Sequence, residues 1–395
     1  MQNLNTIFIR VLSDFLNEKK SNIEDAIDWK ALITLAKKHQ VEGIIIHQCK
    51  DFLPKELLPT YEQMYAVNIY RYHTREKLER AINDILCKNN IPYFTVKGLN
   101  VAKLFPIPSL RTMSDTDYIV PQDKKDEAHK IFTSLGFDNM QKNSMEWIYI
   151  KNGFEFEVHD KLLYEEASNS ERDLTFANKV WQHVENSGEK MQLNWNYHFV
   201  FLMLHLKKHF VNSGVGIRQF MDLTVVARNC NLDWKQVEEW LISLDLLKFS
   251  KNCLSLCNRW FGLVTPLNSE MEEGFIKTAT NDILRNGVFG YGTEENFDNK
   301  YLWQYDEKGK PKNLILFPDY ESMVCIRYYS FIKGKKYLLP VAWVYRFCRI
   351  LFLKQYNRKK RIMTNRKDTV KLIKKRKKYL STWGIKAENN NTKGV

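Results

Sequence analysis

The sequence predicts an α+β chain, in which a small mixed β-sheet core is flanked by N-terminal and C-terminal helical regions. Three observations carry this. Apolar residues recur at helical three-and-four spacing up to about Lys88, compact β-prone runs cluster between Ile91 and Asp160, and helical spacing then resumes as far as Lys333. With 395 residues the chain exceeds what one core usually holds, so the reading divides it into four parts. Residues 1–90 form a helical region, 91–165 an α/β core, 166–335 a helical domain, and 336–395 an amphipathic helix with a basic tail.

Taken in order, WKALITLAKKH and REKLERAINDILCKNN are amphipathic, with Pro54 and Pro59 marking a break between them. IPYFTVKG is a β-prone run ending in glycine, and DTDYIVP is a second one closed by Pro121. Between them LNVAKLF reads as a short helix and PIPSLRTMS as a loop, because its two prolines forbid regular structure. KKDEAHKIFTSLGF is an amphipathic helix with Gly136 at its C-terminal cap. SMEWIYIK and GFEFEVHD follow as strands, joined by Asn152-Gly153, a strong type I′ hairpin signal. The order strand, helix, strand, helix, hairpin fits a mixed sheet of four or more strands. Beyond Ser168, NYHFVFLMLHLKKHF, RQFMDLTVVARNC and LDWKQVEEWLISL are helical, and GYGTEENFDNKYLWQYDEKGKPKN is a polar loop. An apolar-aromatic helix begins at Tyr337 and runs into the basic tail.

Hydrophobic residues at 44% and charged residues at 27% exclude a disordered chain and a membrane bundle. No apolar stretch approaches the roughly 20 residues of a spanning helix. The net charge of +14 suggests nucleic acid until it is localised: Val341–Leu380 holds 15 Lys and Arg against one acid, Asp368, leaving 45 bases and 45 acids elsewhere. The tail is therefore expected to touch an anionic membrane or RNA, or else to pack on the body with a solvated basic end. The opening residues show no secretion signal and the seven scattered cysteines contain no CxxC, so a reducing cytoplasm is expected, with peripheral contact at the inner face of the membrane through the tail. Cys253 and Cys257 stand four apart, a spacing that suits two metal ligands but also two small core residues, and the core reading is preferred.

Chemistry concentrates around Lys97-Gly98 and Arg111-x-x-x-Asp115-x-Asp117. Alternate strand residues share a face, so Asp115 and Asp117 present two carboxylates side by side, which repel unless a cation lies between them. Hard carboxylate oxygens select Mg²⁺ or Mn²⁺, usually together with substrate phosphates. A glycine after the first strand lets backbone approach a phosphate. Glu155, Glu157 and His159 also share one face, and either glutamate can supply a third acid to a two-metal site for phosphoryl or nucleotidyl transfer. The competing reading is a half-exposed hairpin with solvated acids.

IPYFTVKGLNVAKLFPIPSLRTMSDTDYIVP resembles the core motif of the uncharacterised bacterial nucleotidyltransferase family within the polymerase-β-like superfamily. The resemblance extends to DWKALITLAKKHQVEGI, to HLKKHF and GIRQFMDL, and to Glu157-Val158-His159, covering most of the chain up to about Lys354. It implies a nucleotidyltransferase core using Mg²⁺ or Mn²⁺, with Asp115 and Asp117 as metal ligands and Glu157 as the third carboxylate. It further implies that Gly98 faces the triphosphate of an NTP, with Lys97 and Arg111 at phosphate-binding positions. The superfamily's Gly-Ser pair is replaced here by Lys97-Gly98, so no serine hydroxyl grips the γ-phosphate.

His205 and His209, four apart on one helix, lack the partners of a zinc site, and Arg218 and Asp222 at the same spacing can pair with each other. With His159 they are expected to line an acceptor pocket opposite the sheet, or to form a structural network there. The acceptor is open among a sugar, a lipid-linked intermediate, a protein and RNA. A non-catalytic nucleotide-binding protein, or an adaptor acting through the basic tail, is the alternative to an enzyme.

Overall fold

The chain begins with three helices, α1 (Leu4–Leu16), α2 (Trp29–His39) and α3 (Glu42–Cys49). Asn3 and Asp28 start the first two, their side-chain oxygens accepting from Asn5 N–H at 3.1 Å and Ala31 N–H at 2.9 Å. A computed structural model describes residues 3–23, 27–142, 146–164, 170–187, 190–212, 214–288, 317–318, 320, 323, 327–332, 334–352 and 366–386. The break at the prolines holds, since α4 (Leu58–Lys88) restarts the chain with Pro59 in its first turn, where a missing N–H costs no helical bond.

The sheet has five strands: β1 (Phe94–Val96), β2 (Asp117–Ile119), β3 (Asp138–Lys142), β4 (Glu146–Lys151) and β5 (Phe154–His159). Their order is β1-β2-β5-β4-β3, with β2 and β5 parallel and the other neighbours antiparallel. The β4–β5 turn takes positive φ at both Asn152 (53°) and Gly153 (76°), as a type I′ hairpin requires. The edge strand β3 is not foreseen by the sequence, because DNMQK shows no apolar alternation and its ladder is irregular between Asn139 and Gln141. Between β1 and β2 lies α5 (Gly98–Ala102); α6 (Lys125–Ser134) follows β2 and ends at Gly136, whose φ of 73° suits the left-handed cap.

The pleat divides the interior in two. Tyr118, Tyr149, Phe156 and Val158 face Ile82 and Leu86 of α4 and Phe132 of α6. Phe94, Val96 and Ile119 point the other way, into a larger core built by α1–α3 and by α7 (Glu171–Asn178), α8 (Trp195–Asn212), α9 (Ile217–Asn229), α10 (Trp234–Ser243), α11 (Leu247–Phe261) and α12 (Glu273–Asn286). The face that carries chemistry is therefore the one turned toward the second helical group.

The expectation of unbroken helix after Ser168 is corrected: a hairpin of β6 (Val184–Ser187) and β7 (Lys190–Leu193) intervenes, with β7 beside β1. Strands of four residues are too short to show a period. Cys253 and Cys257 are buried in the larger core and burial raises both thiols, Cys257 to about 12, which agrees with packing rather than metal binding. The polar loop GYGTEENFDNKYLWQYDEKGKPKN lies outside the described residues.

Two C-terminal helices are described, α13 (Leu339–Phe352) and α14 (Arg366–Thr382). Packed with Met323, Tyr329 and Ile332, α13 buries Ala342 and leaves Val341, Val344 and Tyr345 exposed. The end of α14 belongs to the body: Ile373, Leu380 and Trp383 are buried, and the Trp383 ring lies 4.6 Å from Phe210 and 5.3 Å from Phe275. The tail is thus not one separable basic arm, because an apolar stripe on α14 outweighs its charge in deciding where it sits. Lys371, Lys374 and Lys378 remain exposed on its other side. No described helix is long and apolar enough to cross a membrane.

Candidate functional site

The site begins with the register of β2 and β5. Asp117 pairs with Glu157 and Ile119 with His159, so two carboxylates and an imidazole point from adjacent strands to one face. One ligand atom from each of Asp117, Glu157 and His159 lies within 4.8 Å of the others. His159 Nε2 is 3.1 Å from Glu157 Oε2 and 3.6 Å from Asp117 Oδ1. This chemistry fits a divalent cation, with two hard oxygens and one nitrogen converging.

Asp115 is not a member of that group. Asp115 precedes β2, accepts from Ser114 Oγ at 2.7 Å and lines the same concavity as Asp117, but it does not reach the group that Asp117 forms with Glu157 and His159. His159, expected in the acceptor pocket, sits with the carboxylates instead.

Lys97 follows β1 beside these groups and sends Nζ to Asp117 Oδ2 at 2.9 Å. Its backbone takes φ 57° and ψ −124°, a region that disfavours side chains. The buried imidazole of His198 holds the turn, accepting from Lys97 N–H at 2.9 Å. Burial lowers the His198 pKa to about 3, with Lys97 and Arg111 adding to the effect, so the acceptor nitrogen stays unprotonated. Gly98 follows at φ 42° with open space where a Cβ would stand, so backbone conformation rather than crowding calls for glycine.

Charge is balanced closely around Asp117. Burial pushes its pKa up, but Lys97 and His159 outweigh this and hold the carboxyl well below the usual range. His159 is held up to about 9: burial opposes, and its hydrogen bonds to the Asp117 and Glu157 carboxylates prevail. Lys97 is likewise raised against burial by Asp117 and Asp115.

Behind the strand, Arg75 of α4 is 1% exposed, which for a guanidinium demands full pairing. It donates to Ser114 O (2.8 Å), Thr116 Oγ1 (2.7 Å) and Glu155 O (3.2 Å), while Thr116 Oγ1 donates to Glu79 at 2.9 Å. Ser114 and Thr116 alternate with Asp115 and Asp117, so this pair braces the acidic segment from the opposite face. Arg75 and Glu79 escape a reading of chemical motifs; their signal is two opposite charges four apart, in step with Tyr72, Ile82 and Leu86 on one side of a helix.

Across the cleft stand α8 and α9. Gly98, Arg111, Asp115, His205, His209, Arg218 and Asp222 line one concavity with Lys97 and Asp117, so nearly all the residues singled out from the sequence meet there. His198, His205 and His209 form one stripe on α8, and His198 could have been found as the residue seven before His205. His205 and His209 place their Nε2 atoms 3.1 Å apart. Burial and then Lys97 lower both, His209 to about 4, so one neutral ring donates to the other. Among the described residues they belong to no group of three metal-ligating side chains.

Arg218 and Asp222, which their spacing would let pair, bond elsewhere. Asp222 accepts from Arg111, Nε to Oδ1 at 2.7 Å and Nη2 to Oδ2 at 2.8 Å, because the buried fork of Arg111 matches a carboxylate edge to edge. Arg111 also donates to Gly98 O at 3.2 Å. Arg218 turns to Thr112 O at 2.9 Å and to Gln40.

No curated protein matches the chain. The solution structure of the antibiotic-resistance factor ANT(2'')-Ia is similar over 43% of this chain and 91% of its own, at 12% identity and a TM-score of 0.33, too loose a likeness to inform the chemistry. Residues 25–262, more than half of the chain, match the family described as uncharacterised nucleotidyltransferase, and the chain belongs to that family and is a transferase.

Proposed function

We propose that the protein transfers a nucleoside monophosphate from an NTP to an acceptor hydroxyl or phosphate, with Mg²⁺ or Mn²⁺. The observation that carries this is the parallel β2–β5 register, which brings Asp117, Glu157 and His159 within 4.8 Å of one another in a family of nucleotidyltransferases. In this reading the carboxylates of Asp117 and Glu157 would hold the cation, His159 joining them once the cation displaces its proton, and Asp115 adds a carboxylate at the mouth. The bound cation would neutralise the triphosphate and lower the pKa of the attacking group. Lys97 and Gly98 face the triphosphate, and Arg111 acts through its bond to the Gly98 carbonyl. The acceptor oxygen attacks the α-phosphorus in line, Glu157 takes its proton, and pyrophosphate leaves.

The division of labour follows the chain in this proposal. Residues 91–165 hold the nucleotide, the 166–335 region receives the acceptor, and the lysines that docked α14 leaves exposed, Lys371, Lys374 and Lys378, are free to meet an anionic membrane or RNA in the cytoplasm. A non-catalytic nucleotide-binding reading draws on one observation, that Lys97 Nζ already neutralises Asp117 at 2.9 Å without a metal. Incubation with each α-labelled NTP, Mg²⁺ or Mn²⁺ and a cell extract fractionated into RNA, protein, lipid and small molecules separates the two. Label in one fraction supports transfer and names the acceptor class; Mg²⁺-dependent NTP binding with no label in any fraction supports the non-catalytic reading.

A further inference from the structure

Two arginines line the cleft, and their guanidinium edges are in opposite states. Arg111 spends its Nε/Nη2 edge on both oxygens of Asp222. Arg218, in the first turn of α9, is fixed from the other side: its Nη1 donates to Gln40 Oε1, Thr112 O and Thr112 Oγ1. Its Nε is buried with no partner, and every hydrogen bond of its guanidinium among the described residues leaves from Nη1. No described carboxylate lies within ion-pair distance of it, although Asp222, Asp115 and Glu42 act on it from farther off. Neighbouring cations are already matched, Lys97 by Asp117 and Arg111 by Asp222.

A buried N–H without an acceptor gives up its hydration for nothing, the more so on a charged group, and so calls for an explanation at this position. The vacant edge is the same fork that Arg111 uses for a carboxylate, and Gln40 and Thr112 hold it ready. We propose that the Nε/Nη2 edge of Arg218 is an anion subsite, taking two oxygens of a phosphate or carboxylate group carried by a substrate. The assignment of that group to a substrate of transfer rests on the proposed function; the anion preference does not. Its source is either the triphosphate of the donor or an acidic acceptor that enters between α8 and α9.

Calorimetric titration with Arg218→Met distinguishes the sources. The α,β-methylene analogues of ATP, GTP, CTP and UTP are titrated with Mg²⁺, and inorganic phosphate is then titrated into protein saturated with whichever analogue binds. Phosphate binding to the loaded wild type, weakened tenfold or more in Arg218→Met with analogue affinity unchanged within twofold, assigns the subsite to an anionic acceptor. A tenfold loss of analogue affinity, with no phosphate binding to the loaded wild type, assigns it to the donor. Affinities for both within twofold of wild type overturn the proposal. Should Arg218→Met lower the Tm, Arg218→Lys decides, since a single ammonium cannot fill the fork: the same tenfold loss is expected, and wild-type affinity overturns the proposal. If the wild type binds no analogue, the transferase reading fails, and phosphate titrated into the free protein still tests Arg218 by the same tenfold criterion.

Discussion

Arg111 holds both carboxylate oxygens of Asp222, at 2.7 and 2.8 Å, and so ties the segment leading into β2 to the middle of α9. Both side chains are nearly inaccessible, at 5% and 9%. A pair this buried offsets its own desolvation only while both partners remain, and loss of one strands the other charge.

Asp222→Ala is therefore expected to cost about 3–5 kcal/mol in urea denaturation, by leaving the Arg111 guanidinium buried and unmatched. The double variant Arg111→Met/Asp222→Leu should be clearly more stable than Asp222→Ala. Equal stabilities for the single and double variants would show that the pair does not lock these elements together.

Acid sensitivity should trace in part to His39, which joins α2, α9 and α12. Its Nε2 donates to Leu284 O at 3.0 Å and its Nδ1 accepts from Ile217 N–H at 3.1 Å, so protonation sets two donors against each other. Burial, with Lys38 adding to it, lowers its pKa to about 4. Below the unfolded value of about 6.5 the unfolded chain gains a proton that the folded one refuses, so stability is full above that pH and falls as pH drops toward 4. By pH 4.5 the loss from this residue is on the order of 2–3 kcal/mol. His39→Gln, which keeps a donor and an acceptor, should flatten the stability profile between pH 6.5 and 4.5. A variant whose profile matches wild type removes His39 from the account.

Much of the site is legible in the sequence because it is local. Asn152-Gly153 announces the hairpin that brings up β5, and the faces of Glu157 and His159 follow from alternation. What alternation cannot give is how close two side chains on one face come: Asp115 and Asp117, two apart in sequence, line one concavity, but only Asp117 joins Glu157 and His159. The parallel register of Asp117 with Glu157 is set by packing between distant segments, and the partners of Arg111, Arg218 and Lys97 by contacts 101–178 residues apart. Carboxylate repulsion also proves a weaker sign of a cation than spacing implies, because Lys97 and His159 stand ready to neutralise Asp117. The docking of α14 is hidden by composition: its lysines dominate the sequence, while a few apolar residues decide its place.

Trp383→Ala is expected to destabilise the protein by about 3–5 kcal/mol, since the ring fills a space between Phe210 and Phe275. Truncation after Asn365 should lower the Tm for the same reason. An unchanged Tm in both would return α14 to the status of a detached arm.

Glu155 and Glu157 share a face, but only Glu157 stands opposite Asp117 in the ladder. Glu157→Gln should reduce transfer by 10²-fold or more while NTP still binds, and Glu155→Gln should retain most activity. The reverse pattern would mean that Glu155 is the catalytic carboxylate and that the register does not select the base.

The most direct measurement compares α-³²P-labelled and γ-³²P-labelled NTP as donors, in Mg²⁺ or Mn²⁺ and in EDTA, for wild type and Asp117→Asn. The account expects α-label, and never γ-label, to reach the acceptor fraction, only with the divalent cation, and at least 10²-fold less with Asp117→Asn. Transfer of γ-label, or α-label transfer that survives EDTA or the loss of the Asp117 carboxylate, would contradict it.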